Sequence, residues 1–397
     1  MANATKILII GGTWSKNPSE IKASGLVQKL YDNITNRVWM TEPDITFRNG
    51  GSYDDLKSYL NPDVTYDIVF WWPNVPDNNL EKLRNIKEIW PHTMLVASKR
   101  NDNEKYDFNY LVQHALTLKA NLVFEFSKNG DIYNTRILDP LGCVFYDGTN
   151  FEKAVNTCMN RLNYLKSITR QKTIQDTTDK SLVLKWYFDQ FAQPMAQSDK
   201  IIPIPDEQKF VNIVKKFAYE FHKFMPKTVN TTRFVGNASL RKNPPQVGRC
   251  SKGMPSFKKD GYIFVSKRNV DKEFIELDNF VPVYLNEDDN QLYYCGDDKP
   301  SVDTPVQVRL YKVLPNINYM IHSHCYIKDA PFTDTAIPCG AIEEVGEVIH
   351  TLKNHYGSME KDFYTINLKG HGAIVMCNNL AQFDKVEFIK RNLPEKI

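Results

Sequence analysis

The run Tyr319-Met320-Ile321-His322-Ser323-His324-Cys325-Tyr326-Ile327 reads as a buried strand that carries two histidines. Side chains alternate between the faces of a strand, so His322 and His324 project together while Ser323 and Cys325 point the other way. A second apolar strand, residues 373–376, follows Lys369-Gly370-His371-Gly372, where the glycines let backbone and ligand approach closely. Three imidazoles converging on one point, with a fourth position open, are how a protein holds a catalytic Zn²⁺ or another divalent ion. The plain alternative is a chance His-x-His, with His371 a hydrogen-bonded loop residue. Gly-His-Gly ahead of a second strand, with an acid upstream, favours the metal site.

That acid is Asp303, in Lys299-Pro300-Ser301-Val302-Asp303-Thr304-Pro305. Apolar residues at 306, 310, 313 and 314 predict a helix after it. Asp303 or Thr304 would cap this helix and Pro305 suits its first turn, so Asp303 taken alone is a plain N-cap. Upstream, Phe234-Val235-Gly236-Asn237-Ala238-Ser239 reads as a strand ending in a polar turn that offers donors to an anion.

In order and spacing, Gly236-Asn237-Ala238-Ser239, residues 299–305, His322-Ser323-His324 and Gly370-His371-Gly372 resemble class II aldolase/adducin domains. The likeness covers roughly residues 206–380 and is closest to L-ribulose-5-phosphate 4-epimerase and L-fuculose-1-phosphate aldolase. It implies an α/β/α fold around a mostly antiparallel sheet and a Zn²⁺ held by His322, His324 and His371. It also implies aldol or retro-aldol chemistry on a phosphorylated sugar, through an enediolate that the metal stabilises. Asn237, Ser239 and Ser301 match positions near the substrate phosphate, and Asp303 matches the acid/base beside the metal. Family members form fourfold rings with sites at subunit interfaces, which makes a homotetramer the expected assembly.

The chain departs from the family pattern in several places. The usual Lys-Pro-Ser-Gly phosphate loop is here Ser266-Lys267-Arg268-Asn269, where Lys267 and Arg268 are either charged phosphate donors or a solvated basic turn. Val302 replaces a serine of the family's Ser-Ser-acid run, and Ile337-Pro338-Cys339-Gly340 leaves little room for an epimerase's second acid. Cys325 and Cys339 read as core or loop residues. The family's C-terminal tail is nearly missing. Two functions follow: a metal-dependent lyase or epimerase, favoured by the three histidines, or an adducin-type oligomerising scaffold, favoured by the altered loop and short tail.

The N-terminal part is organised differently. Lys6-Ile7-Leu8-Ile9-Ile10-Gly11-Gly12-Thr13 predicts a first buried parallel strand, and further apolar runs span 67–72, 93–98 and 121–126. Asn17 to Glu20 would cap a helix running to Asp32, and a second helix covers 108–119. Strands alternating with helices predict a doubly wound, Rossmann-like or flavodoxin-like α/β domain, whose ligands sit beyond the strands' carboxyl ends. Gly11, Gly12 and Thr13 there form a candidate phosphate turn, and Ser98-Lys99-Arg100 a second anion contact, suiting a nucleotide or phosphate ligand. The expected domains are 1–165, a helical connector over 166–205, and 206–397.

A net charge of +3, from 50 basic and 47 acidic residues, argues against general nucleic-acid binding. Neither a signal peptide nor a membrane-length apolar run is evident. Seven dispersed cysteines without Cys-x-x-Cys fit reduced thiols in the cytoplasm.

Overall fold

The computed structural model describes residues 4–11, 25–48, 61, 63–72, 89–130, 132–169, 185–225, 236–242, 262–286 and 288–397. The chain divides into two compact units, Met1–Gln190 with Leu393–Ile397, and Phe191–Asn392. The division thus falls inside the stretch read as a connector, and the last residues join the first unit instead of the second.

The strands of the first unit are β1 (Lys6–Gly11), β2 (Asp44–Arg48), β3 (Ile68–Trp72), β4 (Met94–Arg100), β5 (Leu122–Asn129), β6 (Ile132–Leu138) and β7 (Cys143–Gly148). Among the described residues its helices are α1 (Gly25–Thr35), α2 (Phe108–Leu118) and α3 (Phe151–Ile168), while α4 (Lys185–Phe191) carries the division. The parallel strands run β2-β1-β3-β4-β5, the order of a flavodoxin-type doubly wound sheet. Strands β6 and β7 extend it antiparallel, and the C-terminal pair Glu395–Lys396 adds a strand parallel to β7. Residues 7–10 and 68–72 are buried without interruption, because a parallel sheet is covered on both faces. Helix α1 is seen from Gly25; the cap at 17–20 lies outside the described residues.

The second unit comprises β8 (Met195–Ser198), α5 (Gln208–Phe224), β9 (Asn237–Lys242), β10 (Tyr262–Ser266), β11 (Phe280–Asn286), β12 (Gln291–Cys295) and α6 (Thr304–Val313). Then come β13 (Tyr319–Ser323), β14 (Tyr326–Ile327), α7 (Glu344–Tyr356), β15 (Phe363–Leu368), β16 (Gly372–Cys377) and β17 (Phe388–Ile389). The sheet order is β15-β16-β13-β9-β10-β11-β12-β8, antiparallel except where β12 meets β8. The period-two alternation sorts its side chains into two cores. Ala238, Leu240, Ile321, Ala373 and Val375 pack with Phe210, Val214 and Phe217 of α5. On the other face, Met320, Ile374 and Met376 pack with Leu310 and Tyr311 of α6 and with Val348 and Leu352 of α7. This is the α/β/α layering that the resemblance implies. It also decides the site, since His322, Asn237 and Ser239 share the parity of the α6/α7 face. The buried Arg241 guanidinium donates to carbonyls of Tyr311, Leu314 and Pro315, capping the end of α6 with a cation.

Candidate metal centre

The expected strand over 319–327 is broken. β13 ends at Ser323, His324 and Cys325 form a bend, and β14 pairs separately with β17. Alternation therefore places His322, and the bend delivers His324. Two glycines allow this geometry. A Cβ at Gly236, where φ is +66°, would meet the His322 carbonyl oxygen at 1.8 Å. A Cβ at Gly372 would meet the Ser323 oxygen at 1.9 Å. The glycine beside His371 thus serves backbone against backbone. Gly236 also precedes a strand, so residues 237–239 begin β9 where a strand end was expected; residues 234–235 lie outside the described ones.

The three imidazoles come together. Ring centroids are 5.1 Å apart for His322–His324, 4.6 Å for His322–His371 and 5.2 Å for His324–His371. One ring nitrogen from each lies within 4.8 Å of the others, and all three residues are buried. The Nδ1 of His322 is 3.0 Å from the Ala373 carbonyl, and the Nδ1 of His371 is 3.3 Å from Glu344 Oε1. A carbonyl can only accept, so His322 carries its proton on Nδ1 and turns the Nε2 lone pair inward. The Nε2 atoms of His322 and His371 are buried and have no hydrogen-bond partner among the described residues. Leaving such atoms unpaired is unfavourable unless a ligand takes them. A divalent ion fits that donor set, with neutral imidazoles oriented by a carbonyl and a carboxyl behind them.

The electrostatics agree. Burial, with the neighbouring His371, brings His322 down to about 4. Burial likewise brings His371 to about 4 and holds His324 well below its ordinary value. The rings are therefore neutral near pH 7, as metal donors must be. Burial, with the charge of Asp303, pushes Glu344 well up.

Asp303 occupies the N-cap position of α6, yet its side chain makes no capping hydrogen bond. It accepts from Asn237 Nδ2 at 2.5 Å and from the Cys339 thiol at 2.9 Å, and lies 3.8 Å from His322 Nε2. Burial alone would raise its pKa; the adjacent His322 and His371 and those two hydrogen bonds hold it below the usual carboxylate range. Gln307 donates to Asn237 Oδ1, which fixes that amide with its NH₂ toward Asp303.

The anion candidates are more scattered in role. Asn237 is committed to Asp303, and the buried Ser239 hydroxyl sits 3.1 Å from Tyr311 Oη, where it packs α6 onto the sheet. The Lys267–Arg268 turn does meet the Ser301 segment, through a bridge between Lys267 and Pro300. Its peptide N–H groups are taken, however: Lys267 donates to Asn279, Arg268 to Lys299 and Ser301 to Ser266. An anion here would depend on side chains. Of these, the Lys267 ammonium lies 3.0 Å from Asp298 and Arg268 Nε donates to the Pro300 carbonyl. In the first unit, a Cβ on Gly11 would meet Val27 at 3.1 Å and Trp72 at 3.2 Å, so this glycine lets α1 close on β1. Gly12 and Thr13 lie outside the described residues. Lys99 donates to Tyr110 Oη and Arg100 pairs with Asp102.

Sequence reasoning missed Glu344, Cys339, Gln307 and Arg391. The first two lie between His324 and His371 in the chain, and Cys339 reads from sequence as a core or loop residue. Arg391, fully buried, donates to the His371 carbonyl at 3.3 Å, so the segment after β17 braces the centre within the same chain.

Residues 218–328 match the family model of the class II aldolase and adducin N-terminal domain. The matched segment contains Asn237, Asp303, His322 and His324, while His371 lies beyond its end. No curated protein matches the chain. Solved structures that are similar include the DNA/pantothenate metabolism flavoprotein from Streptococcus pneumoniae, at 14% identity and a TM-score of 0.31, covering 41% of this chain and 99% of that one. L-fuculose-1-phosphate aldolase from Thermus thermophilus is similar at 15% identity and a TM-score of 0.27, covering 43% of this chain and 80% of that one. Among the described residues, no helix is long and apolar enough to cross a membrane.

Proposed function

We propose that the second unit is a divalent-metal-dependent lyase or epimerase acting on a phosphorylated, sugar-like substrate, with Zn²⁺ the favoured ion. The observation that carries this reading is the pair of buried, unpartnered Nε2 atoms on His322 and His371. His322, His324 and His371 would hold the ion, which supplies Lewis acidity toward a hydroxy-carbonyl substrate. Asp303, held ionised between Asn237 and Cys339, takes and returns the substrate proton. Gln307 keeps the Asn237 amide in the orientation that Asp303 needs. Lys267 and Arg268, beside Ser301, offer the cationic side for a phosphate. A homotetramer goes with the family likeness, and a phosphate or nucleotide ligand at Gly11–Thr13 would belong to the first unit.

Metal analysis of the purified chain, together with turnover of a panel of ketose phosphates, tests this reading. One equivalent of divalent ion is expected, and His324→Ala should lower its affinity by at least roughly tenfold to a hundredfold. If His324→Ala keeps the ion as tightly as the parent, the assignment is wrong. A metal-loaded parent that turns over no ketose phosphate would instead favour the adducin-type scaffold.

A further inference from the structure

We propose that the first unit carries a nucleobase crevice at the carboxyl ends of β3, β4 and β5: the base of a ribonucleotide stacks on Phe126, accepts a hydrogen bond from Trp72 Nε1 and meets the Thr135 hydroxyl. The inference rests on the phosphate or nucleotide reading of that unit given above and deepens it.

Register brings these residues to one face. Trp71 pairs with Ala97, so Trp72 and Ser98 point the same way. Ser98 pairs with Phe124, Arg100 with Phe126, and Phe126 in turn with Thr135. The face is the one on which Phe151 of α3 meets Phe124. Trp72 itself closes β3 opposite Gly11 of β1. In the strand order β2-β1-β3-β4-β5, the junction of β1 and β3 is the switch point beyond which such sheets take their ligands.

Two buried polar atoms on this face have nothing to bond. Trp72 is 6% exposed and Thr135 fully buried, and neither Nε1 nor Oγ1 has a hydrogen-bond partner among the described residues. Leaving them so is unfavourable, and the aromatic faces nearby accept an N–H only weakly. The Trp72 ring lies 4.9 Å from Phe124 and 6.0 Å from Phe126, and Phe126 lies 6.4 Å from Tyr133. Ser98, Phe126 and Tyr133 are only half-buried, so solvent reaches this aromatic row beside the two unpartnered atoms.

These groups select a ligand. Aromatic rings stack a flat heterocycle whatever its sequence of substituents. An indole N–H can only donate, whereas a hydroxyl donates or accepts. A base edge, with a carbonyl oxygen or ring nitrogen next to an amino or imino group, satisfies both. Cations stand around the opening for the phosphate: the Lys29 ammonium is 5.8 Å from the Tyr133 ring centre, and Arg100, paired with Asp102, ends β4.

The six tryptophans of the chain all lie at or before Trp186, within the first unit, so their fluorescence reports on that unit and not on the metal centre. The full chain should be titrated with the 5′-monophosphates and 5′-triphosphates of adenosine, cytidine, guanosine and uridine, and with inorganic phosphate. At least one nucleotide is expected to quench the emission and to bind far more tightly than phosphate. Calorimetry should show its affinity falling roughly three- to tenfold in Trp72→Phe and in Thr135→Val, which keep shape and lose one hydrogen-bonding group each. Their urea midpoints should hold or rise, since each loses an unsatisfied polar atom, a combination that mere packing roles would not produce. Equal affinity in parent and both variants overturns the crevice. Phosphate binding as tightly as every nucleotide overturns it too, while leaving a phosphate turn at the end of β1. A parent that binds none of these probes overturns both, whatever becomes of the variants.

Discussion

His371 Nδ1 lies 3.3 Å from Glu344 Oε1, two buried groups 27 residues apart, with the carboxyl supplied by the first residue of α7. The contact fixes which ring nitrogen of His371 faces the centre. On the proposed metal reading Glu344 positions His371, and truncating it should loosen the ion without removing a donor. Glu344→Ala is expected to weaken divalent-metal affinity about tenfold to a hundredfold, with Glu344→Gln, which still offers an acceptor, falling between. Chelator competition measures this; equal affinities for parent and alanine variant would leave Glu344 as mere packing.

Much of this centre is legible in the chain, and the illegible part has a physical pattern. Glycine spacing and the histidine run point to the three imidazoles because local backbone geometry places them. Asp303 is ambiguous from sequence, since an acid before Thr-Pro is an equally good helix cap; only its missing cap bond and its contacts to Asn237 and Cys339 separate the roles. Glu344 and Cys339 have no local signature, because a loop and a helix start, which follow no strand or helix periodicity, bring them to the site. Ser239 differs in setting: the sequence suggests a polar turn at a strand end, whereas the residue lies within β9 with its hydroxyl 3.1 Å from Tyr311 Oη. In the first unit, uninterrupted apolar runs reveal the parallel strands, whereas the closing Glu395–Lys396 strand is too short to announce itself.

Asp303→Asn should separate folding from chemistry. The carboxylate does not cap α6, so no cap is lost. Both its oxygens accept hydrogen bonds, from Asn237 and Cys339, and an amide would set its NH₂ against one of those donors. A destabilisation of about 1–3 kcal/mol follows, together with a loss of turnover of roughly a hundredfold or more. Urea unfolding and ketose-phosphate assays measure the two. Full turnover by the variant would take Asp303 out of the mechanism.

The metal-free chain should lose stability on mild acidification. His322 and His371 are depressed to about 4 from 6.5, and His324 is depressed too. Between about 4 and 6.5 the unfolded chain binds protons that the folded one refuses, so stability rises with pH there and is lost as pH falls. Each histidine contributes up to about 1.4 kcal/mol per pH unit. Glu344, raised by burial, works in the opposite sense and offsets part of this. Urea midpoints of chelator-stripped protein near pH 7, 6 and 5 should decline, and a His322→Gln, His324→Gln variant should decline less. Parallel curves for the two proteins would count against buried neutral imidazoles.

Two glycines should respond oppositely to the same substitution. At Gly372 a Cβ would overlap the Ser323 carbonyl oxygen at 1.9 Å and crowd His324 Cα at 2.8 Å, both backbone atoms of the segment that positions the histidines. Neither atom can swing aside as a side-chain end would, so β13 and β16 must separate locally. Gly372→Ala is therefore expected to destabilise by several kcal/mol, in the range of severe core disruptions, and to abolish metal binding. Gly346 lies within α7, and a Cβ there meets nothing within 4 Å. Alanine suits a helix interior better than glycine, so Gly346→Ala should stabilise by about 0.5–1 kcal/mol and leave metal affinity untouched. Thermal unfolding and metal titration of both variants provide the check. If Gly372→Ala folded and bound metal like the parent, the close passage of β16 beneath Ser323 and His324 would be wrong, and with it the placement of His371.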